Sequence, residues 1–151
     1  LIDNCRRHGE SDSFMTIHAR YSDRRIYIAV SDLGIGFLQS WNKREKDEAD
    51  INTENYVLKG NAPQNELEAI ICGIYKRKES KIYGIYNIIV QTLELKGKIR
   101  IHSNDIQIVF TPRLSEFISN PKTLMNETFF EYNVKKNIQF KGVHIEMEIP
   151  F

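Results

Sequence analysis

The chain predicts an α+β fold: a two-layer α/β sandwich in which a mixed, mostly antiparallel sheet carries helices on one face. Three observations lead there. Two pairs of short alternating strands, near residues 14–31 and 98–111, are each joined by a tight polar turn. A strongly amphipathic helix lies between them, over Gly84–Leu95. A last alternating strand closes the chain, with Val143, Ile145, Met147 and Ile149 on one face and His144, Glu146 and Glu148 on the other.

The elements follow in order. Leu1 to about His8 reads as the last turns of a helix, stopped by Gly9. Phe14–Tyr21 alternates, with Met15, Ile17, Ala19 and Tyr21 together. Ser22-Asp23-Arg24 turns the chain into Arg25–Ser31, where Ile26, Ile28 and Val30 share a face. The pair predicts a hairpin of two half-buried strands. From Phe37 to Lys81 the pattern weakens. Ser40–Asp50 is charged, Asn52–Asn65 is polar with Gly60 and Pro63, and Lys76–Lys81 is a charged run. Within this interval Leu67, Ile70, Ile71 and Ile74 keep helical spacing over Glu66–Tyr75. A long polar insertion of this kind suits a mobile lid over residues 37–81, or a surface loop around one helix. Ile85, Ile88, Ile89 and Leu93 stripe the next helix, which Gly97 ends. Lys98–Ser103 and Ile106–Thr111 flank an Asn104-Asp105 turn. Pro112–Lys136 predicts a short helix near Leu114–Ile118, a loop at Asn120-Pro121 and a strand over Phe129–Val134.

Composition limits the function classes. The 151 residues suit one domain, with 41% hydrophobic and 27% charged residues. A net charge of +1 gives no electrostatic case for nucleic acid. The short basic clusters (Arg6-Arg7, Arg24-Arg25, Lys76-Arg77-Lys78, Lys135-Lys136) read as solvated surface. Cys5 and Cys72 form neither a metal spacing nor a disulfide framework, which points to a reduced, cytoplasmic setting. No apolar run is long enough for a membrane span, and no signal peptide is visible. The chain opens on Leu1-Ile2-Asp3 without a methionine, so further residues are expected before Leu1.

The chemistry concentrates in Ser31-Asp32-Leu33-Gly34-Ile35-Gly36. A carboxylate at a strand end accepts a hydrogen bond from an exocyclic amine such as that of adenine. Glycines one residue apart let backbone turn tightly and come close to a ligand. Upstream, Asn4 lies on an apparent helix; its amide oxygen is a hard donor of the kind Mg²⁺ takes. Downstream, Gly84 opens a helix whose N-terminal amides favour phosphate, with Ser80 and Lys81 close by. Gly142 starts the terminal strand.

Those four elements in that order resemble the ATP-binding domain of the GHKL superfamily: gyrase-type topoisomerases, ninety-kilodalton chaperones, histidine kinases and mismatch-repair proteins. The Asn4-x-x-x-His8-Gly9 spacing is similar to the anti-sigma-factor serine kinase branch. The resemblance spans nearly the whole chain and implies a Bergerat-type fold that binds Mg²⁺-ATP. It assigns nucleotide contacts to Asn4, Asp32, Gly34, Ile35, Gly36, Lys81, Gly84 and Ile85, with Asn4 also on the metal. It places the family's general-base Glu one position before Leu1, so ATPase, serine kinase or non-catalytic switch all stay open. It also implies a protein partner or a further domain, with a homodimer open. Two positions depart from the family pattern. Ile82 stands where a first glycine is usual, and Val143 where a threonine usually helps hold water between the aspartate and adenine. A non-nucleotide interaction domain is the competing expectation.

Overall fold

A computed structural model describes residues 11–44, 63–75, 84–115, 118 and 131–151. In chain order the elements are β1 (Ser13–Arg20), β2 (Arg25–Asp32), α1 (Gly36–Arg44), α2 (Glu66–Tyr75), α3 (Ile85–Glu94), β3 (Lys98–Ser103), β4 (Ile106–Phe110), β5 (Val134–Lys135) and β6 (Val143–Pro150). The six strands make one open sheet in the order β1-β2-β6-β3-β4-β5, and every neighbouring pair is antiparallel. The C-terminal strand therefore lies between the two hairpins. It sets Met147 opposite Ile28 on one side and Ile99 on the other.

Alternation decides which residues face inward. Val30, Ile145, Ile99, Ile101, Ile106, Ile108 and Phe110 are buried on one face of the sheet. Two helices cover that face. α2 brings Leu67, Ile70, Ile71 and Ile74, and α3 brings Ile85, Ile89 and Leu93, into the same apolar cluster. The opposite face carries ion pairs between strands: Arg25 with Glu148 at 2.7 Å, and Arg100 with Glu146. The two-layer α+β sandwich expected from the sequence is the observed architecture, with a sheet that is antiparallel throughout its described strands.

Two local expectations change, at β1 and before β5. β1 is exposed along nearly its whole length, with Phe14, Met15 and Ile17 more than half accessible, whereas a half-buried strand was expected. Its alternation sets the side chains on the correct faces, but none of the described helices covers them. Within the interval 37–81 only 37–44 and 63–75 are described. These parts hold α1 and α2, and Ile70, Ile71 and Ile74 of α2 are fully buried core. Residues 45–62 and 76–83 lie outside the described residues. Of the strand expected over Phe129–Val134, Phe129 and Phe130 lie outside the described residues, 131–133 form a helical turn, and the strand observed is Val134–Lys135. Of the helix expected near Leu114–Ile118, residues 116 and 117 lie outside the described residues; Pro112–Leu114 is a 3₁₀ turn, the Ile118 N–H donates to the Leu114 carbonyl at 3.0 Å, and Ile118 belongs to the core.

Phe110 is wholly buried at the end of β4. Phe110→Ala should lower unfolding free energy by about 3–5 kcal/mol in urea titrations. A loss under about 1 kcal/mol would show that this part of the core collapses around the vacancy.

Candidate functional site

At one end of the sheet, Asp32, Val143 and Ser103 stand side by side on β2, β6 and β3, on the helix-covered face. Asp32 is 2% exposed. Its Oδ1 accepts two backbone N–H groups, from Gly34 at 2.9 Å and from Val143 at 3.2 Å. Among the described residues no group donates to Oδ2. Among the described residues no fully buried side-chain oxygen lacks a partner, so Oδ2 lies at the residue's small remaining opening. Gly142 makes this geometry possible. It sits at φ +95°, and a Cβ there would come 2.2 Å from the Asp32 carbonyl oxygen.

The loop leaving Asp32 is pinned at successive residues. Leu33 N–H donates to Ser11 Oγ at 3.1 Å. The Ile35 carbonyl accepts from Asn104 Nδ2 at 3.3 Å, while Asn104 Oδ1 accepts from the Gly142 N–H at 3.1 Å. Asn104 holds a left-handed φ of +49° in the β3–β4 turn, which an asparagine tolerates. Glu66 closes the other end. Its Oε1 accepts from the Phe37 N–H at 2.7 Å and from the Ser103 hydroxyl, and its Oε2 accepts from the Leu38 N–H at 3.3 Å. These amides open α1, so a carboxylate fills that helix N-terminus and matches its dipole. Gly36 has φ +78°, and a Cβ on it would fall 2.1 Å from Asn104 Nδ2 and 2.8 Å from Glu66 Oε1. Its missing side chain makes room for the protein's own polar groups.

α3 begins differently. Gly84 is its extended N-cap residue (φ −124°, ψ −173°), which makes no side-chain cap hydrogen bond. The Ile85 side chain belongs to the core, so only its backbone is placed to meet a ligand. The structure thus gathers Asp32, Gly34, Ile35 and Gly36 into one loop and sets Gly84 and Ile85 at the start of α3. Asn4 and Lys81, with His8, Ser80 and Ile82, lie outside the described residues. Among the described residues no three His, Cys, Asp or Glu side chains converge on a metal position. Sequence reading missed Glu66, Ser103 and Asn104. Glu66, which with Glu68 opens a helix that is apolar beyond its first turn, was the available signal.

Behind this site, on the opposite face of the sheet, Ser31 Oγ and His144 Nδ1 lie 2.6 Å apart. His102 pairs across β3–β6 with His144, and the Phe140 ring packs on it at 4.7 Å between centroids. Burial, with the neighbouring His144, holds the His102 imidazole below its ordinary 6.5, against the opposing pull of the Asn104 carbonyl.

Two outcomes follow. Glu66→Ala strips three donors of their charged acceptor and should cost about 2–4 kcal/mol of stability. Chemical denaturation reads this, and an unchanged midpoint would mean that water replaces the carboxylate. Because His102 is harder to protonate folded than unfolded, its contribution is complete above pH 6.5 and declines as pH falls below it. Melting temperature should therefore drop on acidification, and less steeply in His102→Gln. Parallel curves for the two proteins would remove His102 as a cause.

Comparison of the chain with protein-family models, with curated proteins and with solved structures gives no match.

Proposed function

We propose that this chain is a Mg²⁺-ATP-binding domain of the GHKL type, acting in signalling or regulation through ATP hydrolysis or phosphotransfer. One observation carries the reading. Asp32 is a nearly buried carboxylate with Oδ1 spent on two backbone amides and Oδ2 left to accept. A ligand that reaches Oδ2 must donate through a narrow opening. The exocyclic amine of adenine does so. Guanine presents a carbonyl oxygen at the equivalent position, leaving two acceptors facing each other and a buried polar group unpaired.

The rest of the ligand has a place in the same reading. The start of α3, where the N-cap residue Gly84 has no side chain to cap it, brings a helix dipole and backbone amides toward phosphate. α1 is the contrasting case, since Glu66 already occupies its N-terminus. By the family resemblance, Asn4 would bind the magnesium ion and Lys81 would assist the phosphates. When bound, ATP supplies a transferable phosphoryl group. This chain's residues hold the adenine and orient the phosphates.

A second reading has its own support. The Asp32-to-Gly34 hydrogen bond is also the ordinary closure of a turn by an aspartate, and Val143 stands where the family has a threonine. On that basis the loop would serve an interaction module that binds nucleotide weakly or not at all.

Asp32→Asn separates the two. An asparagine keeps an oxygen for the Gly34 and Val143 amides but turns an NH₂ group toward the opening. The fold should hold, with a melting temperature shifted by only a few degrees, about 1 kcal/mol or less. Titration calorimetry should show saturable Mg²⁺-ATP binding to the parent, none matching it with GTP, and at least a roughly tenfold loss in the variant. A folded parent chain that takes up no ATP would favour the interaction module.

A further inference from the structure

We propose that β1 is a self-association edge: it pairs antiparallel with β1 of a second copy of this chain, about a two-fold axis through Thr16. The inference does not rest on the nucleotide reading. β1 ends the sheet and hydrogen-bonds only to β2. Its pairing runs without a bulge from Ser13 opposite Asp32 to Arg20 opposite Arg25. Among the described residues nothing pairs with its outer N–H and C=O groups. The usual protections of an edge are missing as well. The strand holds no proline and no lysine, and Phe14 is 60%, Met15 51% and Ile17 63% exposed. A long, regular, apolar edge of this kind is a template for another strand.

The pattern along the strand selects the partner. When two edges join into one sheet about a two-fold axis, each face continues across the junction, so residues of equal parity meet. Centring the pair on Thr16 places Met15 opposite Ile17 of the second copy on the helix-covered face. On the other face it places Phe14 opposite His18 of the second copy. Just before the strand, Asp12 then meets Arg20 of the second copy, and symmetry repeats that ion pair at the far end. A parallel arrangement would set acid near acid and base near base. The strand is thus complementary to its own reverse in both apolar pattern and charge. Arg20 is free enough to take part: its side chain is 56% exposed and touches Asp23 at 3.4 Å. The product joins two six-stranded sheets into one continuous sheet.

Sedimentation equilibrium of the 151-residue chain across the micromolar range tests this. The expected result is a concentration-dependent mass approaching twice 17.7 kDa. Thr16→Lys, which opposes two ammonium groups on the axis, should raise the dissociation constant at least about tenfold. Asp12→Arg and Arg20→Asp should each weaken the dimer, and the double reversal should restore it. Circular dichroism checks that each variant is folded. Should Thr16→Lys fail to fold, Thr16→Cys supplies the same information: mild oxidation should yield a reducible dimer beyond the background that Cys5 and Cys72 set in the parent. A parent chain that stays monomeric throughout overturns the proposal. So does a dimer indifferent to Thr16→Lys, a Thr16→Cys chain with no crosslink above background, or a double reversal that fails to rescue.

Discussion

The hydrogen bonds to Oδ1 of Asp32 tie the loop that leaves β2 to the C-terminal strand, 111 residues further along the chain. One comes from Gly34, in the loop that leads to α1; the other comes from Val143, the first residue of the C-terminal strand. That strand lies between the two hairpins, so its entry point governs how both halves of the sheet meet. The entry is exacting. Gly142 must be left-handed, it passes against the Asp32 backbone, and its N–H and C=O are taken by Asn104. An acceptor lost at Asp32 would orphan two amides in a nearly dry place, each costing about 1–3 kcal/mol. The site and the register of the sheet are therefore set by the same few atoms.

Two carboxylates stand at this end of the sheet, and their hydrogen bonds separate their roles. Glu66 spends both oxygens on the protein, on the two amides that open α1 and on the Ser103 hydroxyl. Each of its oxygens already holds a protein donor, and these bonds lock α1 and α2 to β3. Asp32 spends one oxygen and keeps the other. The glycines divide in the same way. Gly36 leaves room for Asn104 and Glu66, so its conformation is explained within the fold. A glycine-rich loop after a strand is thus in part internal packing. Only the count of donors and acceptors tells which part.

Much of this was legible from the chain because a period of two or of 3.6 records which way a side chain points. Ile26, Ile28 and Val30, the alternation from Val143 to Ile149, and the stripe on α3 all face as their spacing implies. The position of Asp32 at a strand end was equally plain. Periodicity records no neighbour, however. Nothing in the spacing of β6 says that it enters between β2 and β3, and nothing in β1 says that its apolar face stays uncovered. Glu66 reaches amides 29 and 28 residues upstream, and such a contact leaves no local trace in sequence. Asn104 was readable as a turn residue but not as the clamp on Ile35 and Gly142.

The β1–β2 hairpin carries both the open edge and the buried carboxylate, so the two are mechanically close. Ser13 lies opposite Asp32, and just ahead of β1 the Ser11 hydroxyl accepts from the Leu33 amide. A strand docked on the outer edge would restrain β1 and, through that bond, the loop beside Asp32. The size of the effect has a ceiling. One hydrogen bond between neutral groups is worth about 0.5–1.5 kcal/mol net. A coupling carried by that bond alone would change affinity by no more than roughly tenfold. Larger coupling would need β2 itself to move. β2 is held along its other side by seven residue pairs to β6, from Arg25–Pro150 to Ser31–His144. Edge and site are therefore built to influence each other weakly: the hairpin transmits order into the loop, while the central strand keeps the carboxylate in place.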